Sequence, residues 1–303
     1  MVNGAPGSAW ASLLSVPGAD VEEVTLSGTP AFGDPAPIDS AHLFDLASLT
    51  KIYTAVAALR LVDAGVLDLH APVASVLRAG TGEGAGDITL RHLLTHTSGL
   101  PAEAGAWRTG VVGDELRATV LRSPLRSRPG VEHRYSDVGF IVVGEIIARV
   151  SGRPLSENIA DVAAALGAST LTWAPLPERA IATELQPHRG LVRASVHDEL
   201  AHALERPAGH AGLFGTVDDV AALARMIRDE GTGPGGRVLS ADAIRQMTTP
   251  AITADDGYGQ AVGLRVRDAA WMGDLDAVGH TGFTGTCFAV ASSGGFGVLL
   301  TNR

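Results

Sequence analysis

Ser48 and Lys51, in Ser48-Leu-Thr-Lys51, are the first pair whose types and spacing allow chemistry. At the start of a helix, residues three apart share a face, and the helix N-terminus brings partial positive charge beside both. That field favours an oxyanion and a deprotonated amine, the two states that activating a serine as a nucleophile requires. In this reading Lys51 is the base, its pKa lowered from about 10.4 by burial and the helix terminus. The spacing alone equally describes an N-cap serine followed by a surface lysine. Composition singles the lysine out, because the 23 basic residues are 22 arginines and Lys51. Arginine serves wherever a permanent cation suffices, whereas a lysine can release its proton.

Two further groups belong with this pair. Tyr135-Ser136-Asp137 precedes a helical stretch, and a tyrosine hydroxyl beside a lysine can relay a proton between nucleophile and leaving group. His280-Thr281-Gly282-Phe283 lies on an expected strand near the C-terminus. An edge strand there would offer a backbone N–H as half of an oxyanion hole, the Ser48 N–H being the other half.

The elements that must position these groups follow from periodicity. Residues 21–27 read as a short strand ending at Gly28, and 49–64 as a helix ended by Gly65. A short helix is expected over 89–95, with further helices over 114–122, 138–150, 155–166, 217–229 and 241–247. Segments 261–267, 277–281, 285–291 and 296–301 alternate or run apolar between Gly-rich turns, as antiparallel strands do. The expected class is α/β: an antiparallel sheet built from both chain ends with a helical subdomain inserted. The boundaries are residues 1–71 for the first part of the α/β subdomain, 72–249 for the helical subdomain and 250–303 for the C-terminal strands. The cleft between the two is the expected place for the site.

Composition narrows the function. A net charge of −10 argues against a nucleic-acid partner, which needs clustered Lys and Arg. The glycine-rich stretches at 80–86 and 231–236 lack the strand–loop–helix context and lysine of a phosphate-binding loop. No membrane span and no secretory leader are read, so a cytoplasmic location is expected. The single cysteine, Cys287, is read as a small core residue. His92 and His96 have the i, i+4 spacing of a zinc pair, but no Glu lies between them, and no metal site is expected. A structural hydrogen bond is the reading for His197 in Val196-His197-Asp198. His210 is placed on the cleft wall, and Trp107, Trp173 and Trp271 in core or rim packing.

Five ordered blocks carry a resemblance. They are Phe44-Asp-Leu-Ala-Ser-Leu-Thr-Lys51, Leu93-Leu-Thr-His-Thr-Ser-Gly-Leu100, Pro129-Gly with Tyr135-Ser-Asp-Val-Gly-Phe140, Gly212-Leu-Phe, and Gly279-His-Thr-Gly-Phe-Thr-Gly285. Together they resemble the serine β-lactamase-related superfamily of class C β-lactamases, D,D-peptidases and family VIII carboxylesterases. The resemblance spans residues 42–302 and implies a β-lactamase/penicillin-binding-protein-like fold. It implies Ser48 as the acylated nucleophile, Lys51 as its base partner, Tyr135 as a second acid/base, and the Phe283 N–H beside that of Ser48 in the oxyanion hole. Asp137, His280, Thr281 and Gly282 fall at substrate-binding positions. A two-step acyl-enzyme cycle without metal or cofactor follows from it.

The departures shape the substrate expectation. His280 stands where β-lactamases and D,D-peptidases usually carry Lys, and Asp137 replaces the usual Asn. Both weaken recognition of an anionic β-lactam, and His-Thr-Gly is similar to the esterase branch. Asp137 could instead hold Lys51 by a charge-assisted hydrogen bond. The expected partner is therefore a small-molecule ester or acyl donor, hydrolysed or transferred. A D,D-peptidase or β-lactamase, or a non-catalytic binding protein on the same fold, are the alternatives. Only one strand is evident before Ser48 where relatives usually have two, and relatives usually continue past the last strand into a helix covering the sheet.

Overall fold

The computed structural model describes residues 7–18 and 22–303. The leader reading at residues 1–6, and Val21 at the start of an expected strand, lie outside them. The alternating segments at the two ends meet in one antiparallel sheet. Its strands are β1 (Ala9–Ser15), β2 (Glu22–Gly28), β3 (Ile252–Thr253), β4 (Gly259–Gln260), β5 (Arg265–Val266), β6 (Ala277–Thr281), β7 (Cys287–Ala291) and β8 (Phe296–Thr301). Their spatial order is β2-β1-β8-β7-β6-β5-β4-β3. The ends join at β1 and β8, with Trp10 opposite Thr301 and Ser15 opposite Phe296.

β1 is the strand the sequence reading missed. Its inward residues Ala9, Ala11 and Leu13 are buried, while Trp10 and Leu14 are 37% and 51% exposed on the other face. Small residues inward and large apolar ones outward cancel the contrast that alternation depends on. Leu299, opposite Ser12, is 39% exposed on that outer face. Cys287 pairs with Leu299 and is half-buried there, so it is not the core residue expected of it.

Helices α1 (Thr50–Asp63), α2 (Leu90–Leu94), α3 (Gly113–Leu121), α4 (Asp137–Ser151), α5 (Leu155–Leu166), α6 (Glu199–Ala203), α7 (Val217–Arg228) and α8 (Ala241–Thr248) follow one another in the chain between β2 and β3. α7 falls within the 72–249 span yet packs on β1, β7 and β8, covering the inner sheet face. α2 is shorter than the expected 89–95, because Thr89 caps it outside its first turn and His92 closes a capping box. α1 packs on α4 and α5, and every residue from Thr50 to Leu59 is buried. A helix buried on all sides sits at the centre of its domain. Within Thr50–Leu59 the one charged residue is Lys51.

The 206–213 segment crosses this centre closely. Thr54 Oγ1 donates to the Gly209 carbonyl at 2.8 Å, and a Cβ on Gly209 would lie 2.2 Å from the Phe140 carbonyl oxygen of α4. A backbone oxygen cannot yield as a flexible side chain can. Gly209→Ala should therefore lower Tm by several degrees, matching an overpacking cost of about 1–3 kcal/mol. Thermal unfolding followed by circular dichroism measures it, and an unchanged Tm would show that the segment shifts freely.

Candidate active site

The Ser48 segment is pinned before the helix begins. Phe44–Asp45 pairs with Phe214–Gly215, and the Leu46 N–H donates to the Leu213 carbonyl at 2.9 Å. Ala47 then turns with φ of 46°, and Ala47–Leu49 forms a 3-10 turn leading into α1. Ser48 is half-buried at this turn. Lys51, one turn on and fully buried, reaches back to place Nζ 2.9 Å from Ser48 Oγ.

Lys51 Nζ meets two more oxygens: the His210 carbonyl at 3.0 Å and Asp137 Oδ1 at 2.7 Å. An ammonium has three N–H donors, and here each finds an acceptor. Only the Ser48 hydroxyl can also donate. The Ser48 hydroxyl proton therefore stays free for a further acceptor while its oxygen accepts from Lys51. The expected neutral amine is corrected by this arrangement. Burial disfavours the charged form, but the Asp137 carboxylate and Tyr135 outweigh it, and Lys51 is held above the ordinary lysine range. The cause is the departure at Asp137, since an asparagine would leave the burial uncompensated.

Tyr135 stands beside this pair, its ring centroid 4.9 Å from Lys51 Nζ. The next residue, Ser136, caps α4 by accepting the Gly139 N–H at 3.0 Å and anchors to the Pro101 carbonyl at 2.7 Å. Around the Tyr135 ring lie His96 at 4.4 Å, His280 at 6.0 Å and the Arg265 guanidinium at 5.5 Å. His96 Nδ1 accepts the Ser136 N–H at 2.9 Å, so the histidine of the Leu-Leu-Thr-His block positions the second element. His92 serves the α2 capping box instead. No cluster of three His, Cys, Asp or Glu suited to a metal occurs among the described residues.

The third element is not on an edge strand as expected. β6 is interior, between β5 and β7. β5 is short, however, and pairs only with Val278 and Gly279. Beyond them the His280–Thr281 end of β6 is unpaired on the β5 side, a local edge. Gly282 then runs against the Ser48 segment, where an added Cβ would lie 2.8 Å from the Leu46 carbonyl oxygen and 3.3 Å from Ala47 Cβ. Thr284 Oγ1 donates to the Asp45 carbonyl at 2.8 Å, and Thr286 Oγ1 to the Leu46 carbonyl at 3.2 Å. Phe283 follows on this anchored turn, 69% exposed and packed on His197 and Arg303.

His280 brings no charge. Its Nδ1–H donates to the Thr281 carbonyl at 2.7 Å, and burial, then Arg265 and Lys51, push its pKa well below the ordinary histidine range. The cation on this wall is Arg265, opposite Gly279 across the β5–β6 pair, with Nη1 on Asp268 at 2.9 Å. His197 is a bridge: its backbone N–H donates to Asp45 and its Nε2–H to Glu184 at 2.6 Å. His210 gives its carbonyl to Lys51, and its Nε2–H donates to Asp198 at 2.9 Å. Trp107 binds Glu103, Trp173 packs beside Gly212, and Trp271 lies against Gly279.

Residues 14–303 match the beta-lactamase family. The chain belongs to that family. It is 31% identical over 300 residues to an Escherichia coli O157:H7 protein named "Putative D-alanyl-D-alanine carboxypeptidase", covering 86% of this chain and 68% of that protein. It is 29% identical over 318 residues to an N-acetylmuramyl-L-alanine amidase of Bacillus subtilis (strain 168), covering 91% of this chain and 71% of the amidase. The solved structure of a family VIII carboxylesterase superposes with a TM-score of 0.79 at 22% identity, over 98% of this chain and 87% of the esterase. The protein is a serine hydrolase of the beta-lactamase superfamily, with its sheet from both chain ends and helices between.

Sequence reasoning missed Arg265, Asp45 and the His210 carbonyl. Arg265 is one of 22 arginines and lies outside the five blocks, a backbone carbonyl has no sequence signal, and Asp45 lies in the first block with no spacing that marks it. The ion pair at this beta-lactamase-family site yields a pH prediction. Removing one partner of a buried pair costs about 3–5 kcal/mol unless the other neutralises. Asp137→Asn should therefore lower the Lys51 pKa. If the ammonium is the working form, Ser48 reactivity is lost as pH rises through that lowered value. The alkaline limb of the phosphonate-labelling rate should move down by at least about one pH unit, each unit being about 1.4 kcal/mol. An alkaline limb identical to that of the unsubstituted protein would show that Asp137 does not set the charge on Lys51.

Proposed function

We propose that the protein hydrolyses or transfers the acyl group of a small ester through an acyl-enzyme on Ser48. The observation carrying this is the 2.9 Å contact between Ser48 Oγ and a fully buried Lys51. Ser48 Oγ forms a bond to the substrate carbonyl carbon, and the carbonyl π pair moves onto oxygen, facing the Ser48 and Phe283 N–H groups. Because Lys51 starts as an ammonium, it supplies positive charge beside both oxygens, and the Tyr135 hydroxyl acts as a relay: its oxygen takes the Ser48 proton as its own proton passes to the oxygen of the leaving alcohol. Collapse restores the carbonyl and expels the alcohol carrying that proton, which leaves the Tyr135 hydroxyl as it began. Water or a second alcohol then repeats the sequence and releases the acyl group. Lys51 and Tyr135 thus divide the acid/base work, with Lys51 electrostatic and Tyr135 carrying the proton. The neutral His280 and anionic Asp137 support an uncharged acyl donor over an anionic β-lactam.

A second reading is favoured by Arg265. A guanidinium on the wall beside Tyr135 and His280 suits a substrate carboxylate, as in a peptide ending in D-alanine. The E. coli relative carries such a name, and the amidase relative acts on amides.

A fluorophosphonate should add once, on the peptide containing Ser48, and Ser48→Ala should abolish labelling. Tyr135→Phe should slow it by a factor on the order of 10² to 10⁴. Short p-nitrophenyl esters should turn over faster than a chromogenic cephalosporin. Labelling that persists in Ser48→Ala would end this reading. Arg265→Gln separates the two substrates: it should leave p-nitrophenyl acetate within about twofold, while a D-alanyl-D-alanine substrate, if cleaved at all, should lose about tenfold or more in kcat/KM.

A further inference from the structure

Asp45 is three residues ahead of Ser48 and only 3% exposed. Its Oδ1 accepts the Ala47 N–H at 2.8 Å, and its Oδ2 accepts the His197 N–H at 2.7 Å. Neither acceptor interaction builds a helix or strand. Both hold backbone at the site. Ala47 has φ of 46°, a region that costs a residue with a Cβ and persists only where its surroundings impose it. The surroundings here are the Asp45 carboxylate on the Ala47 N–H, Thr284 on the Asp45 carbonyl and Thr286 on the Leu46 carbonyl. The peptide that follows Ala47 carries the Ser48 N–H. Its direction is set by this turn.

We propose that Asp45 is a positioning residue for the acyl-transfer reaction. By accepting the Ala47 and His197 N–H groups, its carboxylate imposes the left-handed turn that aims the Ser48 N–H at the developing oxyanion. The inference rests on the reading of Ser48 as nucleophile. The same carboxylate ties the Ser48 segment to the 196–198 wall, whose Asp198 in turn holds His210, the residue whose carbonyl binds Lys51. One buried group therefore links both halves of the Ser48 environment.

A carboxylate held by backbone N–H groups is sensitive to its own proton. Burial pushes the Asp45 carboxyl up to about 6, against the two N–H bonds that favour the anion. Protonation turns one acceptor oxygen into an O–H and removes one of the two bonds. The titratable groups around it are His197 and Asp198 on the adjoining segment, Glu184 beyond His197, and His210 and Lys51 across the site.

The test is Asp45→Asn, whose amide keeps one acceptor oxygen and turns NH₂ towards the other N–H. For the best p-nitrophenyl ester, kcat should fall on the order of 10²-fold, the scale of one misaimed oxyanion donor, with KM within about threefold. Affinity for a phenylboronic acid, which becomes tetrahedral on Ser48, should fall in parallel. Affinity for the carboxylic acid product should stay unchanged, and the acid limb near pH 6 should disappear. A kcat within threefold of the unsubstituted protein, or equal loss of boronate and product affinity, overturns the inference. If Asp45→Asn does not fold, the unsubstituted protein and His197→Gln decide. An acid limb near pH 6 in boronate affinity that survives in His197→Gln supports Asp45, and a flat profile or a limb lost with His197 overturns it. Failure of the phosphonate to label Ser48 in the unsubstituted protein is a separate result, which removes the underlying reading and this inference with it.

Discussion

The buried ammonium of Lys51 is the constraint around which the rest of the site is arranged. Taking an unpaired charge out of water costs several kcal/mol, and only close, well-directed partners offset it. Lys51 has three: Ser48 Oγ, the His210 carbonyl and Asp137 Oδ1. They come from three parts of the chain, the 3-10 turn leading into α1, a loop crossing α4, and the first residue of α4. Each approach must close for the charge to be tolerated. The tight crossing at Gly209, the Ser136 cap on α4 and the α1–α4 contact therefore serve one electrostatic end.

The sheet meets the same centre from the other side. β1 and β8 pair along their length, so the chain ends close into one sheet, and β5 and β7 on either side make β6 an interior strand. An interior strand normally has no free N–H to offer. The shortness of β5 resolves the conflict by ending its pairing at Gly279. The turn after β6 is then anchored by Thr284 and Thr286 onto the Ser48 segment. A rigid strand brings the turn into position while its last residues stay outside the ladder.

What was legible beforehand divides along physical lines. The long helices and the C-terminal strands announce themselves by their apolar patterns: α5 buries one face, and α4 is a long apolar run buried from Val138 to Gly144. β1 does not, because Ala9 and Ala11 face inward while Trp10 and Leu14 face out. Ser48, Lys51 and Tyr135 were legible as side-chain types at meaningful spacing, and the structure brings them together. The charge on Lys51 was not, because it depends on a carboxylate 86 residues away that reads in sequence only as a departure from a motif. Arg265 was hidden for the opposite reason: in a chain with 22 arginines, no single one stands out until the β5–β6 register sets it beside Tyr135.

That register also changes how the His280 substitution is weighed. From sequence, replacing lysine by histidine removes positive charge from the third element and argues against anionic substrates. In the folded chain the charge sits one strand over, on Arg265, and is itself among the reasons His280 stays neutral. A permanent cation at Arg265 forces neutrality on a buried imidazole nearby, whereas a lysine at position 280 would face two fixed positive charges, Arg265 and Lys51. The two positions are therefore coupled: with Lys51 held as an ammonium by Asp137 and Arg265 already on the wall, an uncharged side chain at 280 keeps the Tyr135 environment from carrying a third cation. The Asn-to-Asp and Lys-to-His departures from the family pattern are parts of one charge arrangement, in which an added carboxylate and a displaced cation are balanced around a single tyrosine.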